Sequence, residues 1–464
     1  MKRLILPAWL LSASVLVLGQ IAVRNQGYVP FSDAPIFYRT GAVRDPVALL
    51  QTRLDRGEAQ LTYEEPNGYL KSVLKQLDVP VSSQSLVFSK TSFQFRRITP
   101  RTPRALYFND DVYIGWVSGG KLEVVSFDPM QGAIFYILEN TRTERPVFER
   151  AELDCTQCHV VAATRGVPGV LLRSVHTNPS GVQSSRGAAY VTGHDSPLGD
   201  RFGGWYVTGT NGRQLHMGNV TVQKGDAAKL LDRQAGANLL DLGDRIEQSL
   251  YLSPHSDIVA QLVQAHQTQM HNLITLANYR TRIALHAAAE QGNAAGALAG
   301  LLSEEARKQF EQPAEELVRY LLFANETRLE DPIKGTSNYT SEFTARGPRD
   351  EHGRSLRDFD LKTRLFRYPC SYLIYSEAFD DLPEPARSFV YRRLHEVLTG
   401  KDTSPEFAHL TREDRKNVLD ILLATKKGLP EEWRQSSTQI NTAGRIAHPD
   451  NAPLKRCAGP ASRQ

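Results

Sequence analysis

Residues 155–159 read Cys-Thr-Gln-Cys-His, and this pentapeptide constrains the chain more than any other feature. Two thiols two residues apart, with an imidazole directly after the second, suit three chemistries. These are a thioredoxin-like dithiol, half of a zinc site, and covalent attachment of haem through Cys155 and Cys158 with His159 as an axial iron ligand. A redox dithiol wants a βαβ context and gives the histidine no role. Zinc wants a second Cys or His pair at short spacing, and none follows. Attachment needs two thiols to reach the two vinyl groups of one porphyrin, which the two-residue spacer permits, and an imidazole placed beneath the ring. The reading that uses all three residues is one covalent haem c, so the rest of the chain has to fold around a flat cofactor.

The N-terminus agrees with that chemistry. Met1, Lys2 and Arg3 precede an apolar run from Leu4 to Val23, the positive and hydrophobic regions of a secretory signal. Val17 and Gly19 are small enough for cleavage near Gln20, but Ala-x-Ala is missing, and the run has about the ~20 residues that a spanning helix needs. Residues 1–23 are therefore a cleaved signal or a retained anchor. Either places the body of the chain in the periplasm or on the outer face of the cytoplasmic membrane, where haem is attached to proteins. No later segment is apolar enough to span.

After His159 the chain continues Arg165-Gly166-Val167-Pro168-Gly169-Val170. From Cys155 to about Val175 the sequence resembles the c-type cytochromes, in which a Gly-Pro loop follows the attachment motif. The resemblance implies that the Pro168 carbonyl accepts a hydrogen bond from the proximal imidazole and fixes its tautomer. A plain turn would use the same residues. Such a domain needs only a small part of 464 residues. Ala105 to Gly120, Gly203 to Asn219 and Tyr368 to Ser376 are similar to stretches of large exported bacterial cytochrome-like proteins of unassigned activity, which implies a class and no particular reaction.

Hydrophobic residues at 41% and charged residues at 23% are ordinary globular values. With 55 Lys and Arg against 51 Asp and Glu, no nucleic-acid partner is expected. At this length two packed units or one large mixed one are expected. Apolar spacing is helical over Asp45 to Arg56 and Tyr69 to Leu77. From Ser85 to Leu138, alternation broken by Asn109-Asp110 and Gly119-Gly120 predicts short strands. Leu171 to Val175, Ala188 to Val191 and Trp205 to Val207 predict more. Helices are expected near Asp226 to Leu250, Pro254 to Glu290, Ser303 to Asn325, Glu384 to Leu398 and Arg412 to Thr425. The fold class is α+β, with a strand-rich N-terminal half leading into the haem-attachment segment and a mainly α-helical C-terminal half. The divisions are 24–150, an α+β region; 151–225, haem attachment and strands; 226–430, helical; and 431–464, a tail.

The sixth iron position separates electron transfer from catalysis. Met130, Met217 and Met270 are the methionines after the initiator, and His216 stands beside Met217. His216 or Met217, in the loop Gln214 to Asn219, lead as distal candidates. His266 or Met270 are the alternatives, sharing one stripe of the helix Pro254 to Glu290 with Ile258, Leu262 and Ile274. Cys370 and Cys457 either form a disulfide or leave Cys370 a buried free thiol. There is no second C-x-x-C-H and no Gly-x-Ser-x-Gly, His-Glu-x-x-His, P-loop or Rossmann fingerprint. Any chemistry therefore falls to the haem. The expectation is an electron-transfer protein serving other periplasmic or membrane-bound redox proteins. The alternative is a peroxidase- or oxygenase-like haem enzyme with an open sixth position.

Overall fold

Side-chain alternation organises the first half. The computed structural model describes residues 29–184, 188–222, 231–290 and 302–434. The N-terminal segment 1–23 and Cys457 lie outside the described residues, and with them the questions of cleavage and of a Cys370–Cys457 bridge. Six strands, β1 (Ser85–Val87), β2 (Arg104–Phe108), β3 (Val112–Trp116), β4 (Leu122–Asp128), β5 (Gly132–Leu138) and β6 (Phe148–Arg150), each pair antiparallel with the next. Asx turns close the β2–β3 and β4–β5 hairpins. Asn109 Oδ1 accepts from the amides of Asp111 and Val112, and Asp128 Oδ1 from those of Met130 and Gln131.

The two-residue period sorts the strands onto two cores. Ala105, Tyr107, Ile114, Trp116, Val124 and Tyr136 belong to one, and Val87, Phe108, Tyr113, Phe127 and Phe135 to the other. The first core is covered by α1 (Pro46–Asp55) and α2 (Leu70–Gln76) through Val47, Leu50, Leu70, Val73 and Leu74. Asp45 caps α1, its Oδ1 accepting from Val47 and Ala48, while its Oδ2 accepts from the Tyr136 hydroxyl at 2.7 Å.

The second core lies between the sheet and a helical body. After β6 come α3 (Glu152–His159), the pair β7 (Arg173–Val175) and β8 (Ala189–Val191), and β9 (Gly209–Thr210). Next is α4 (Ile258–Glu290), buried on every side from Ile258 to Tyr279. Around it follow α5 (Glu304–Leu321), β10 (Lys334–Gly335), α6 (Tyr339–Ala345), α7 (Glu377–Asp380), α8 (Glu384–Leu398) and α9 (Arg412–Thr425). This core takes residues from Val87 to Trp433, so strands and helices share it. The α+β class holds, with strands mostly in the first half and helices more in the second. Among the described residues no helix is long and apolar enough to cross a membrane.

Three local expectations are corrected. The helix expected over Asp226 to Leu250 is absent from 231–250, where single 3₁₀ turns occur at Gln234–Gly236, Gly243–Arg245 and Gln248–Leu250. Asn238 and Gly243 adopt positive φ there, and Asn238 exchanges hydrogen bonds with Asn211. The segment instead lays Leu242 and Ile246 over the first core. Trp205 to Val207 forms a single bridge, Trp205 to Val87, in place of a strand. The stripe assigned to α4 does not exist as one face, because protein surrounds the helix.

Asp257 joins α4 to its surroundings. One carboxylate oxygen accepts from the amides of Val259 and Ala260 at the helix start, and the other from the amides of Thr336 and Ser337 and the Ser337 hydroxyl. A Cβ on Gly335 would come within 2.3 Å of that carboxylate, so glycine is needed beside it. Asp257→Ala should cost roughly 3 kcal/mol, a lost cap together with buried donors left unpaired. Urea denaturation checks this, and a midpoint unchanged from the parent protein would contradict it.

Candidate cofactor site

On α3, Cys155 and Cys158 are three residues apart and so share a face, and His159 ends the helix. None of the helix's residues is buried, and its inward side borders a cavity of about 520 Å³. Pockets for cofactors run from about 300 to 1,000 Å³. Cys155, Cys158 and His159 all line it. The opposite wall is the second-core face of the sheet, with Leu106, Gly115, Glu123, Val125, Phe135 and Ile137. Leu106, Gly115, Glu123 and Ile137 follow one another across β2 to β5 in register. Glycine at 115 keeps that row flat where a larger side chain would project.

The loop after the motif fixes His159. Its Nδ1 lies 2.9 Å from the Gly169 carbonyl, and since a carbonyl can only accept, Nδ1 carries the proton and Nε2 keeps a lone pair. Gly169 N donates back to the His159 carbonyl at 3.0 Å. The bond expected from Pro168 is thus made one residue later, because the Pro168 carbonyl accepts instead from Ala133 N at the start of β5. Loss of solvent around the half-buried ring holds the imidazole below the usual histidine value, against the opposing pull of the Gly169 bond. The neutral form is the one that can bond a metal. Burial also pushes the Cys155 thiol up to about 11, helped by Glu123 and Asp154. A protonated thiol is a poor redox nucleophile. The strands flanking α3 form no βαβ unit, and among the described residues no group of three or more His, Cys, Asp or Glu is placed to hold a bare metal ion.

Asn272 of α4 anchors this loop. Its Oδ1 accepts from Val170 N at 3.1 Å and its Nδ2 donates to Val170 O at 2.8 Å. A Cβ on Gly169 would lie 2.1 Å from that Oδ1, which is why the position beside His159 is glycine. Charge in the cavity is arranged in two ways. Arg104 and Glu123 pair at 2.7 Å, with Gln94 also donating to Glu123. Arg173 is exposed at the rim and makes no ion pair among the described residues.

The distal candidates are elsewhere. His216, Met217, His266 and Met270 are all buried, and none lines the cavity. His216 Nδ1 accepts from Gly218 N, and Met217 faces the Ser174 hydroxyl. His266 has both ring nitrogens engaged, with Ser371 Oγ at 2.8 Å from Nε2 and His194 Nδ1 at 2.8 Å from Nδ1. Met270 fills the second core, and Met130 Sδ accepts from Asn278. Cys370 is fully buried and has no disulfide partner among the described residues. Among the described residues that line the cavity, His159 is the one histidine and there is no methionine. The sequence reading missed Gln264 and Thr268, which line the cavity from α4, and Asn272. The signal was their i, i+4, i+8 spacing, which puts three polar side chains on one face of a helix read as apolar there.

No family model matches this chain, and neither the curated proteins nor the solved structures yield a match.

Asn272→Leu should cost about 2–3 kcal/mol through two lost hydrogen bonds and a Val170 peptide left unpaired. A denaturation midpoint equal to the parent's would contradict the anchoring role. His271, stacked on Phe127 and donating to the Asp110 carbonyl, gives a pH test. Burial lowers its pKa to about 3, whereas the unfolded histidine titrates near 6.5. Between those values the unfolded chain binds one more proton at this site, so its contribution to stability falls as pH falls, by about 1.4 kcal/mol per unit. His271→Gln should remove that increment from the slope of stability against pH between 6 and 4. An unaltered slope would show that His271 titrates alike in both states.

Proposed function

We propose that this chain is an exported c-type haem protein holding one haem covalently through Cys155 and Cys158, with His159 as the proximal ligand and the sixth iron position open. That makes it a haem-dependent oxidoreductase, of peroxidase- or oxygenase-like class, ahead of a carrier with two permanent axial ligands. One observation carries the choice. The cavity that gathers both thiols and the imidazole has no second histidine and no methionine among its described lining residues.

The residues present suit the group. Both thiols border one cavity of cofactor size, one wall is a flat sheet face, and His159 Nε2 retains a lone pair on the cavity side of a ring locked by Gly169. When bound, haem supplies one-electron chemistry and an iron able to take a small ligand. The chain does the rest. Gly169 holds the imidazole orientation and makes it a better donor. Arg173 offers a cation to a haem carboxylate, while Arg104 is neutralised by Glu123. Leu106, Val125, Phe135 and Leu172 keep the interior apolar. Cys158 is exposed and Cys155 partly buried, which would leave one haem edge near the surface, open to electrons from a periplasmic or membrane-bound redox partner. Export is supported by Met1-Lys2-Arg3 and the apolar run to Val23.

The purified protein should retain haem stain on a denaturing gel, and Cys155→Ala with Cys158→Ala should abolish it. The reduced protein should be high-spin and bind carbon monoxide readily. A six-coordinate, low-spin spectrum in both oxidation states that excludes carbon monoxide would restore the electron-carrier reading, and stain surviving in the double variant would overturn covalent attachment.

A further inference from the structure

The central helix supplies a side chain to the cavity that nothing in the protein satisfies. Gln264 is 2% exposed, yet its amide makes no hydrogen bond, and its Oε1 is enclosed without a partner. A buried polar group left unpaired costs about 1–3 kcal/mol. Three other amides of α4 are engaged, Gln261 donating to Tyr206 O, Gln267 to Asn109 O and Asn272 to Val170 O, while Gln269, like Gln264, makes no hydrogen bond. Gln264 differs from these in lining the cavity, and with Oε1 enclosed it is the NH₂ end that stays open to it.

Its place is defined relative to His159. Gln264, Thr268 and Asn272 follow at intervals of four residues, and Asn272 grips Val170, the neighbour of the Gly169 that holds His159. Gln264 thus stands about 12 Å along the helix axis from that anchor, with Thr268 midway. The cavity it lines carries apolar side chains, Leu106, Val125, Val170, Leu172 and Trp205, together with the paired Arg104 and Glu123. The Thr268 hydroxyl donates to Ala265 O and is not competing as a donor. Inside a protein cavity an unpaired amide N–H interacts more strongly with an acceptor than it would in water and discriminates against molecules without one.

We infer that Gln264 donates a hydrogen bond to a small ligand taken up at the open iron position, and so sets which ligand is held. The ligand class is a molecule of two or three heavy atoms with a lone pair to offer, such as peroxide, dioxygen or nitric oxide. This deepens the haem reading above and rests on it.

The test uses the full haem-loaded protein, with carbon monoxide on the ferrous form and cyanide on the ferric form as probes. Removing the donor in Gln264→Leu should raise the C–O stretching frequency and weaken cyanide binding about tenfold. Gln264→Met, close to glutamine in volume, should do the same if the leucine variant folds poorly. Gln269 is a control, being another buried amide of α4 without a hydrogen bond but outside the cavity lining. Gln269→Leu should leave both readouts at parent values. Unchanged frequency and affinity in both Gln264 variants would overturn the inference, as would an equal shift in Gln269→Leu. A haem-stained parent protein that binds neither probe would overturn it while leaving covalent attachment standing. Absence of covalent haem would overturn both.

Discussion

Burial of polar side chains on α4 is the constraint from which the rest of the structure follows. A helix enclosed on every side has little water to satisfy its glutamines, asparagines and histidines, so most of them take a partner in a surrounding element. The partners are mostly backbone groups of loops. Gln267 reaches Asn109 O and His271 reaches Asp110 O at the β2–β3 turn. Tyr279 donates to Gln131 O and Arg282 to Met130 O at the β4–β5 turn. Asn272 holds Val170, and Gln261 holds Tyr206. One helix therefore sets the position of two hairpin turns and of the loop behind the Cys-His motif. The apolar side chains interleaved among these provide the burial, and the polar ones decide the register.

The same logic explains the paired histidines. Ala324 O can only accept, so His194 Nε2 is protonated and its Nδ1 must accept from His266 Nδ1. His266 Nε2 then accepts from the Ser371 hydroxyl. Both rings are neutral, stacked among Tyr320 and Phe323, and burial pushes both pKa values down. A histidine used in this way is a structural connector between α4, α5 and the segment before α7. It has no lone pair left over for iron.

How much of this was legible in the sequence depended on the range of the interaction. The strands were readable because period-two alternation and the turn residues Asn109-Asp110 and Gly119-Gly120 act within a few residues. That Cys155, Cys158 and His159 share one site was readable for the same reason, since the three groups lie within five positions. The proximal hydrogen bond was placed within one residue: the loop gave the carbonyl's neighbourhood, but whether Pro168 or Gly169 faces the ring depends on β5, which takes the Pro168 carbonyl for Ala133. The segment before α4 was misread because spaced leucines mimic helical period, while Asn238 and Gly243 override it through backbone conformation and a distant Asn211. His266 and Met270 were singled out from apolar spacing, which says that a face is buried but not what buries it.

If the chain holds one haem as proposed, that haem needs far less protein than is present, and the arrangement of the cavity suggests a use for the additional mass. The attachment helix sits at the surface and buries none of its residues, so on its own it could position neither the thiols nor the imidazole. Fixing comes from two rigid elements that approach from different sides. The sheet presents a flat row through Gly115, and α4 grips the His159 loop through Asn272. Those two elements are in turn locked to each other by Gln267, His271 and Tyr279. A carrier with two protein ligands would be held by the ligands themselves. An iron with one protein ligand needs its other side shaped by walls that do not move into it, and a helix satisfied along most of its length by bonds to the sheet is a wall of that kind. On the haem reading proposed above, the large body would be a consequence of keeping a cavity open beside a cofactor fastened to a surface helix.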